Sequence, residues 1–286
     1  MRPVDKYKSA QNFRSALQER LRFLSGKESI DPLRLYRQVG YTQLLARLFK
    51  NKDIPWVLKG GHALELRLQE SRGTKDIDLS LRDMKFFKGN ESERMGAIRE
   101  ALIEASRIDL GDFFEFLVTG PKSELDSAPY GGARFQIEAL IDGKRFTIFD
   151  LDIGIGDVWI EPHDELEMRN LLEFAEFETP KVSVICLEQH LSEKIHAYTL
   201  PRENENSRVK DFVDIYLILK KEILDPVLFK RCLSETFERR ATHNIPRNLE
   251  VPPLSWALPF KAFGIEIEML DCHHFISKFW INQFSL

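Results

Sequence analysis

Two short stretches of this sequence carry residues whose types and spacing suit phosphate and metal chemistry. In the first, Lys59 precedes the pair Gly60-Gly61 at the start of an apolar helical pattern. Glycines at a helix start let a phosphate approach the exposed backbone N–H groups, where the helix dipole favours negative charge. The pair is too short for a P-loop, and no GxxxxGK[ST] pattern occurs in the chain. A tight strand-to-helix turn is therefore the alternative interpretation.

The second stretch is Asp76-Ile77-Asp78, which begins an alternating, strand-like pattern. Residues two apart on a strand face the same side, about 7 Å apart, so the two carboxylates can share divalent ions. Magnesium prefers sites of this kind, in which few carboxylates are completed by water or substrate phosphate. Carboxylates on the solvent face of a strand are also common, so the pair alone leaves both interpretations open.

A third carboxylate is expected from a neighbouring strand, in the segment RFTIFDLDIGIGD. There Asp150 and Asp152 alternate with apolar residues and face away from them. Clustered carboxylates repel one another unless their charge is compensated. The pattern is therefore easiest to explain if cations bind at this face.

The C-terminal half adds Lys194 on one predicted helix, and Asp211 and Asp214 on the next. The two aspartates are three residues apart, so they share one helix face. A lysine that meets an aspartate between packed helices forms a structural ion pair in one interpretation. In the other, its ammonium neutralises a triphosphate.

These residues depend on elements that the apolar periodicity predicts. The first half is predicted to contain helices at 8–24, 32–51 and 91–108, a buried strand at 56–58, a strand from Asp76, and strands at 113–119, 133–141 and 144–153. The second half is predicted to be helical at 187–199, 208–221, 225–240 and 255–284. We expect residues 1–180 to form the domain that contains the strands, and residues 181–286 to form a helical domain.

Composition indicates a globular chain of 286 residues with 43% hydrophobic and 30% charged residues. No apolar run is long enough to span a membrane, and the polar start of the chain lacks the apolar core of a signal peptide. The three cysteines are far apart and form no CxxC pair. We therefore expect a cytoplasmic protein without a disulfide framework.

Charge is distributed unevenly along the chain. Residues 1–56 contain twelve Lys or Arg and five Asp or Glu, whereas the whole chain has a net charge of −4. A basic segment of this kind suits an anionic partner such as RNA, although solvated amphipathic helices would look the same. The candidate RNA contacts are Arg14, Arg20, Arg34, Arg37, Lys50 and Lys52.

Taken in order, the motifs LKGGHALELRL…TKDIDLSL, FDLDIGIGD and LSEKIHAYT…R…KDFVDIYLIL resemble those of the AbiEii family. Members of this family are nucleotidyltransferase-fold toxins of bacterial type IV toxin–antitoxin and abortive-infection systems. The resemblance covers residues of about 55–220. It implies an α+β fold, in which a polymerase-beta-like core with a mixed sheet and helices is followed by a helical C-terminal half.

The resemblance also implies roles for individual residues. Metal ions, Mg²⁺ or Mn²⁺, would be held by Asp76, Asp78 and Asp152. The catalytic set would comprise those three aspartates together with Lys194 and Asp211. The nucleoside triphosphate would be bound by Lys59, Gly60, Gly61, His62, Thr74 and Lys194. His62 departs from the family pattern, which has a hydroxyl residue directly after the glycine pair.

The implied reaction is transfer of a nucleotide from a nucleoside triphosphate to an RNA hydroxyl, with the 3′ end of tRNA as the expected acceptor. A cognate antitoxin protein is the expected partner, and no membrane is involved. Two other classes fit the same motifs. One is a nucleotidyltransferase that modifies a small molecule or a protein hydroxyl, and the other is a nucleotide-binding module without transfer activity.

Overall fold

The computed structural model of the chain describes residues 3–50, 56–68, 73–81, 89–124, 131–221 and 223–284. The chain divides into two compact units. The first comprises residues 1–67, 73–156 and 164–184, and it contains the sheet. The second comprises residues 68–72, 157–163 and 185–286, and its regular structure is helical. No helix within the described ranges is long and apolar enough to cross a bilayer.

The sheet unit starts with α1 (Pro3–Lys6), α2 (Ala10–Glu28) and α3 (Pro32–Leu48). The Ser9 side chain caps α2 by accepting a hydrogen bond from the N–H of Asn12. Asp31 caps α3 in the same way, with a proline in the first turn. The apolar stripe that the sequence predicted on the first helix is buried, and it consists of Phe13, Leu17, Leu21 and Leu24.

Seven strands form one mixed sheet in the order β3-β4-β5-β2-β1-β7-β6. The strands are β1 (Trp56–Lys59), β2 (Asp76–Leu81), β3 (Phe114–Glu124), β4 (Gly132–Ile141), β5 (Lys144–Gly154), β6 (Asp164–Glu167) and β7 (Lys181–Val184). Strands β2 and β5 pair in parallel, as do β1 and β7, and the other neighbours are antiparallel. The predicted combination of a mixed sheet with a helical second half is confirmed.

Two further helices complete this unit, α4 (Gly60–Leu68) after β1 and α5 (Glu91–Ser106) before β3. Helix α5 packs against β3, α3 against β5 and α2 against β4. The side chains that point from the strands toward the core are fully buried, among them Ile77, Leu79, Phe135, Ile137, Leu151 and Ile153. The alternating residues of these strands face the opposite side, which we call the open face.

A buried ion pair connects α3 to the start of β3. The guanidinium of Arg47 donates hydrogen bonds of 2.8 and 2.6 Å to the two carboxylate oxygens of Asp112, and both side chains are only 1% exposed. Arg47 also donates to the carbonyl of Phe114. Removing one partner of such a buried ion pair lowers the free energy of unfolding by about 3–5 kcal/mol. This contact therefore holds α3 in the sheet unit.

The helical unit contains α6 (Leu187–Thr199), α7 (Val209–Lys221), α8 (Pro226–Arg240), α9 (Ala257–Lys261) and α10 (Met269–Phe284). Helix α6 packs against both α7 and α8, and α10 packs against α7. The prediction of one helix over 255–284 was wrong. The 3₁₀ turn and α9 are followed by a break before α10 begins. Gly264 lies in this break with a φ of 67°, a backbone conformation that ends a helix.

Candidate active site

The register of β2 and β5 brings four carboxylates to the open face of the sheet. Asp76 lies opposite Asp150, and Asp78 lies opposite Asp152. Because the strands are parallel neighbours in register, residues that alternate with the buried Ile77 and Leu151 point to the same side. The three aspartates predicted as metal ligands are therefore on one face of two adjacent strands.

The glycine pair lies at the end of β1, beside this group. Strand β1 pairs with β2 so that Lys59 is opposite Asp78, and α4 begins at the next residue. Gly60 has a φ of 66°, in the left-handed region that favours glycine. A Cβ built on Gly60 would lie 2.8 Å from the Cβ of Asp78 and 2.5 Å from its carboxyl carbon. Only a glycine leaves room for Asp78 at this turn.

Another charged residue of the open face, Arg134, was not predicted from the sequence. It lies on β4 directly opposite Asp152. Its Nε and Nη2 donate hydrogen bonds of 2.7 and 2.6 Å to Oδ1 and Oδ2 of Asp152. The Nη2 atom is also 3.9 Å from Oδ2 of Asp76. One arginine in an alternating strand looks like an ordinary exposed residue, and only the strand pairing places it here.

The residues present fit a divalent cation by their chemistry. Asp76, Asp78 and Asp152 offer the carboxylate oxygens that Mg²⁺ and Mn²⁺ prefer, and Asp76 is 44% exposed along its side chain. In the part of the chain that the structure describes, no three His, Cys, Asp or Glu side chains are close enough to hold a metal as they stand. Asp152 instead uses both of its oxygens on Arg134.

The two other predicted nucleotide-binding residues of this unit lie differently. His62 is 2% exposed, packs edge-on against Tyr41, and places its Nδ1 3.5 Å from Oε2 of Glu65. Thr74 donates from its hydroxyl to the carbonyl of Asp76, just before β2 begins. His62 is thus packed within its unit in this structure, while Thr74 supports the start of the aspartate strand.

The neighbour of His62, Glu65, is part of a hydrogen-bonded group on α3 and α4. Its Oε1 accepts hydrogen bonds from Arg34, at 2.7 Å, and from Gln38, at 2.8 Å. Burial alone would raise the pKa of Glu65, but His62 and Arg34 hold it well below its usual value. Glu65 therefore stays ionised, and Arg34 is engaged inside the unit rather than displayed for an RNA.

In the helical unit, Lys194 of α6 lies against two aspartates of α7. The Lys194 ammonium is 2.9 Å from Oδ1 of Asp211 and 2.9 Å from Oδ2 of Asp214. Burial would lower the pKa of Lys194, but Asp214 and Asp211 raise it above its usual value. Arg208, which was not singled out from sequence, lies 3.7 Å from Asp211. The role of Lys194 and Asp211 toward a nucleotide stays a prediction.

The basic N-terminal residues are only partly displayed to solvent. Arg20 and Lys50 are exposed, whereas Arg14 and Arg37 are half-buried, and Arg14 donates to the carbonyl of Arg145. Lys52 lies outside the described residues. The candidate RNA contacts are therefore not equivalent, and Arg20 and Lys50 are the best placed of them.

Comparison with known proteins identifies the family of the chain. Residues 43–270 match the family model of the nucleotidyl transferase AbiEii toxin, type IV TA system, which extends well beyond the 55–220 region identified from the motifs. No curated protein sequence matches the chain. Among solved structures, the nucleotidyltransferase toxin MenT4 from Mycobacterium tuberculosis H37Rv is 16% identical, with a TM-score of 0.55. That match covers 95% of this chain and 98% of MenT4.

JHP933 from Helicobacter pylori also matches, with 14% identity and a TM-score of 0.45, over 85% of this chain and 89% of that one. The likeness to MenT4 shows a shared fold. The family model covers most of the chain and includes the glycine turn, the paired aspartates and the Lys194–Asp211 helices. The chain therefore belongs to the AbiEii family of type IV toxin–antitoxin systems and is a nucleotidyltransferase.

Proposed function

We propose that the protein transfers a nucleotidyl group from a nucleoside triphosphate to an RNA hydroxyl, with the 3′ end of tRNA as the first acceptor to test. The register of β2 and β5 supports this proposal most directly. It places Asp76, Asp78 and Asp152 on one face, and the turn at Gly60 lies against Asp78. A nucleotidyltransferase needs carboxylates for metal ions and a backbone turn for phosphates next to each other.

In this proposal each residue has a distinct task. Gly60 and Gly61 leave the first N–H groups of α4 accessible to the phosphates. Asp76, Asp78 and Asp152 would hold Mg²⁺ or Mn²⁺. The remaining proposed nucleotide contacts are Lys59, His62, Thr74 and Lys194, of which His62 would first have to leave its packed position.

The reaction forms one P–O bond and breaks another. The acceptor hydroxyl oxygen attacks the α-phosphorus in line with the bond to the β-phosphate oxygen. That bond breaks, pyrophosphate leaves with the bonding electrons, and the hydroxyl proton passes to a carboxylate of the open face. When bound, divalent ions would acidify the hydroxyl and neutralise the leaving group. The chain itself must keep the attacking oxygen, the phosphorus and the leaving oxygen aligned.

Membership of a toxin family also suggests partners. We propose a cognate antitoxin protein as the regulator and the basic surface of α2 as part of the RNA track. A cytoplasmic location belongs to the same proposal, and it is supported by three cysteines that are all buried thiols.

The test is label transfer from each of four α-³²P nucleoside triphosphates, with Mg²⁺, to total RNA. We expect label in an RNA of tRNA size. Asp76→Asn and Asp78→Asn should lower the rate by at least about 100-fold, in the range seen when charge stabilisation is removed. Asp150→Asn is the matched control, because Asp150 shares the open face but pairs with Lys122 at 3.1 Å, and it should keep most of the activity.

Three outcomes would count against the proposal. Label that enters the protein itself or an added small molecule, and not RNA, would favour the other acceptor classes. Equal losses in Asp76→Asn and Asp150→Asn would mean that the open face acts only through its total charge. Full activity in Asp76→Asn would remove this aspartate from the metal site.

A further inference from the structure

The contact between Arg134 and Asp152 has a geometry that matters for metal binding. Both oxygens of the carboxylate accept a hydrogen bond from the same guanidinium, at 2.7 and 2.6 Å. Bidentate pairs of arginine with a carboxylate are among the strongest hydrogen-bonded contacts in proteins. A divalent ion can use Asp152 fully only after at least one of these bonds breaks.

The surroundings of Arg134 explain why it lies there. The Asp152 side chain is 12% exposed, and a buried carboxylate needs a compensating charge. A guanidinium is protonated at all working pH values. Arg134 is therefore a cation among carboxylates that would otherwise repel one another, hydrogen-bonded to Asp152 and 3.9 Å from Asp76.

The guanidinium of Arg134 can also bind a phosphate. Its planar fork matches the oxygens of a phosphate as well as those of a carboxylate. Arg134 is 35% exposed along its side chain, so it is accessible from the open face where the triphosphate would bind. When metal ions take over Asp152, phosphate oxygens offer the released guanidinium an equivalent contact.

We propose that Arg134 is an exchangeable counter-ion, which holds Asp152 before substrate arrives and transfers to the phosphates when the metal–nucleotide complex binds. This inference rests on the proposed metal site of Asp76, Asp78 and Asp152. In this inference Arg134 binds the nucleotide, and in the absence of nucleotide it competes with metal ions for Asp152. Replacing Arg134 should therefore strengthen the binding of metal in the absence of nucleotide and weaken the binding of nucleotide. A merely structural role would not change the two affinities in opposite directions.

The first measurement is Mn²⁺ binding to the full chain without nucleotide, followed by electron paramagnetic resonance of the free ion. Arg134→Gln should bind Mn²⁺ about 10-fold more tightly than the parent, because no strong hydrogen-bonded pair then competes for Asp152. Arg134→Lys, which keeps the charge but not the fork, should fall between the two.

The second measurement is binding of α,β-methylene nucleoside triphosphates at saturating Mg²⁺, by calorimetry. Arg134→Gln should bind them about 10-fold more weakly, because glutamine cannot donate charge-assisted hydrogen bonds to a phosphate. Arg145→Gln is the matched control. Arg145 forms the same kind of bidentate pair with Glu138, at 2.7 and 3.2 Å. Glu138 lies opposite Ile148, four residues along β5 from Asp152, so replacing Arg145 should change neither affinity.

Asp76→Asn separates the inference from the proposed function. If Asp76→Asn and the parent bind Mn²⁺ equally, the metal site is wrong and the inference fails with it. If Asp76→Asn loses Mn²⁺ but Arg134→Gln matches the parent in both measurements, the metal site stands and the exchange is refuted. Arg134→Gln that weakens both affinities, with a lower melting temperature, would show a structural role and would equally refute it. Arg134→Lys then tests the same point in a protein that keeps the charge.

Discussion

The backbone of Gly60 lies against the side chain of Asp78, so closely that a Cβ at residue 60 would be 2.8 Å from the Cβ of Asp78. Gly60→Ala must therefore displace this aspartate, and it also strains a backbone that has a φ of 66°. Because a shift of about 1 Å in a catalytic group costs about 100-fold in rate, we expect at least that reduction in nucleotidyl transfer.

Gly26→Ala provides the control for this substitution. Gly26 is inside α2, and a Cβ there would meet nothing within 4 Å. An alanine inside a helix should stabilise the fold by about 0.5–1 kcal/mol and leave the rate unchanged. Activity of Gly60→Ala equal to that of the parent would show that Asp78 tolerates displacement.

A second prediction concerns the Lys194 ammonium between Asp211 and Asp214. Lys194→Met leaves two buried carboxylates without it, and we expect the free energy of unfolding to fall by about 3–5 kcal/mol. Urea denaturation measures this decrease. Adding Asp214→Asn removes one of these two negative charges and should restore part of the stability.

The same pair of variants tests the predicted role toward the nucleotide. If Lys194 also contacts the triphosphate, the double variant should regain stability without regaining affinity for α,β-methylene nucleoside triphosphates. Recovery of both together would mean that Lys194 acts only through the fold.

The RNA track is tested by reversing three exposed charges, those of Arg20 and Arg22 on α2 and of Lys50 just beyond α3. For each RNA phosphate that a basic side chain no longer neutralises, the slope of log affinity against log salt should become shallower by about 0.7–0.9. The affinity for nucleoside triphosphate should not change. Filter binding of tRNA at several salt concentrations gives the slope.

A second triple reversal serves as the control, at the exposed residues Lys230, Lys261 and Lys278 of the helical unit. It changes the net charge equally and should leave the slope near that of the parent. If both triple reversals changed the salt slope equally, the net charge of the protein and not the basic segment would determine RNA binding. If the N-terminal triple reversal had no effect, the basic segment would be available to bind an antitoxin.

A fourth prediction uses His196, which is 2% exposed and lies near His243, with its Nε2 2.9 Å from the hydroxyl of Thr242. Burial, with Arg240, His243 and Arg202, lowers the pKa of His196 to about 3, while Asp157 opposes this. An unfolded histidine titrates near a pKa of about 6.5. The stability that neutral His196 contributes is therefore complete above that pH and decreases progressively as the pH falls toward 3.

Urea unfolding at a series of pH values measures this effect. Between these limits the unfolded state should bind about one more proton than the folded state because of His196. His196→Asn should reduce the proton uptake on unfolding by about one. His243, whose pKa burial also lowers, keeps its own contribution in both proteins. An unchanged pH dependence in His196→Asn would contradict the buried neutral histidine.

Periodicity alone predicted which residues of the candidate site share a strand face. The alternation of Asp76 and Asp78 with buried apolar residues fixed the face of β2, and the same rule fixed Asp150 and Asp152 on β5. What the sequence does not contain is which strands are neighbours, because strand pairing is set by contacts far apart in the chain. Arg134 was overlooked for this reason, since only the pairing of β4 with β5 puts it beside Asp152.

Short elements were the other weak point. Strands β6 and β7 have four residues each and were not predicted. Four residues carry little periodic signal, and neither strand has an unbroken apolar run like the one that indicated β1. Yet β7 lies next to β1 in the sheet, with Val184 opposite Leu58. The break before α10 was likewise missed, although Gly264 lies where the helical pattern was extended through it.

The anchoring of the N-terminal helices has a consequence for how this protein can be shortened. Family similarity begins at residue 43, in the middle of α3, but Phe13 of α2 is fully buried and stacks on Phe174. Arg47 of α3 in turn donates a hydrogen bond to Asp112, just before β3. A fragment that starts where similarity starts would expose the apolar surface that α2 covers and should aggregate. The smallest fragment with an intact sheet unit must begin ahead of α2, so a fusion partner or affinity tag belongs before residue 10.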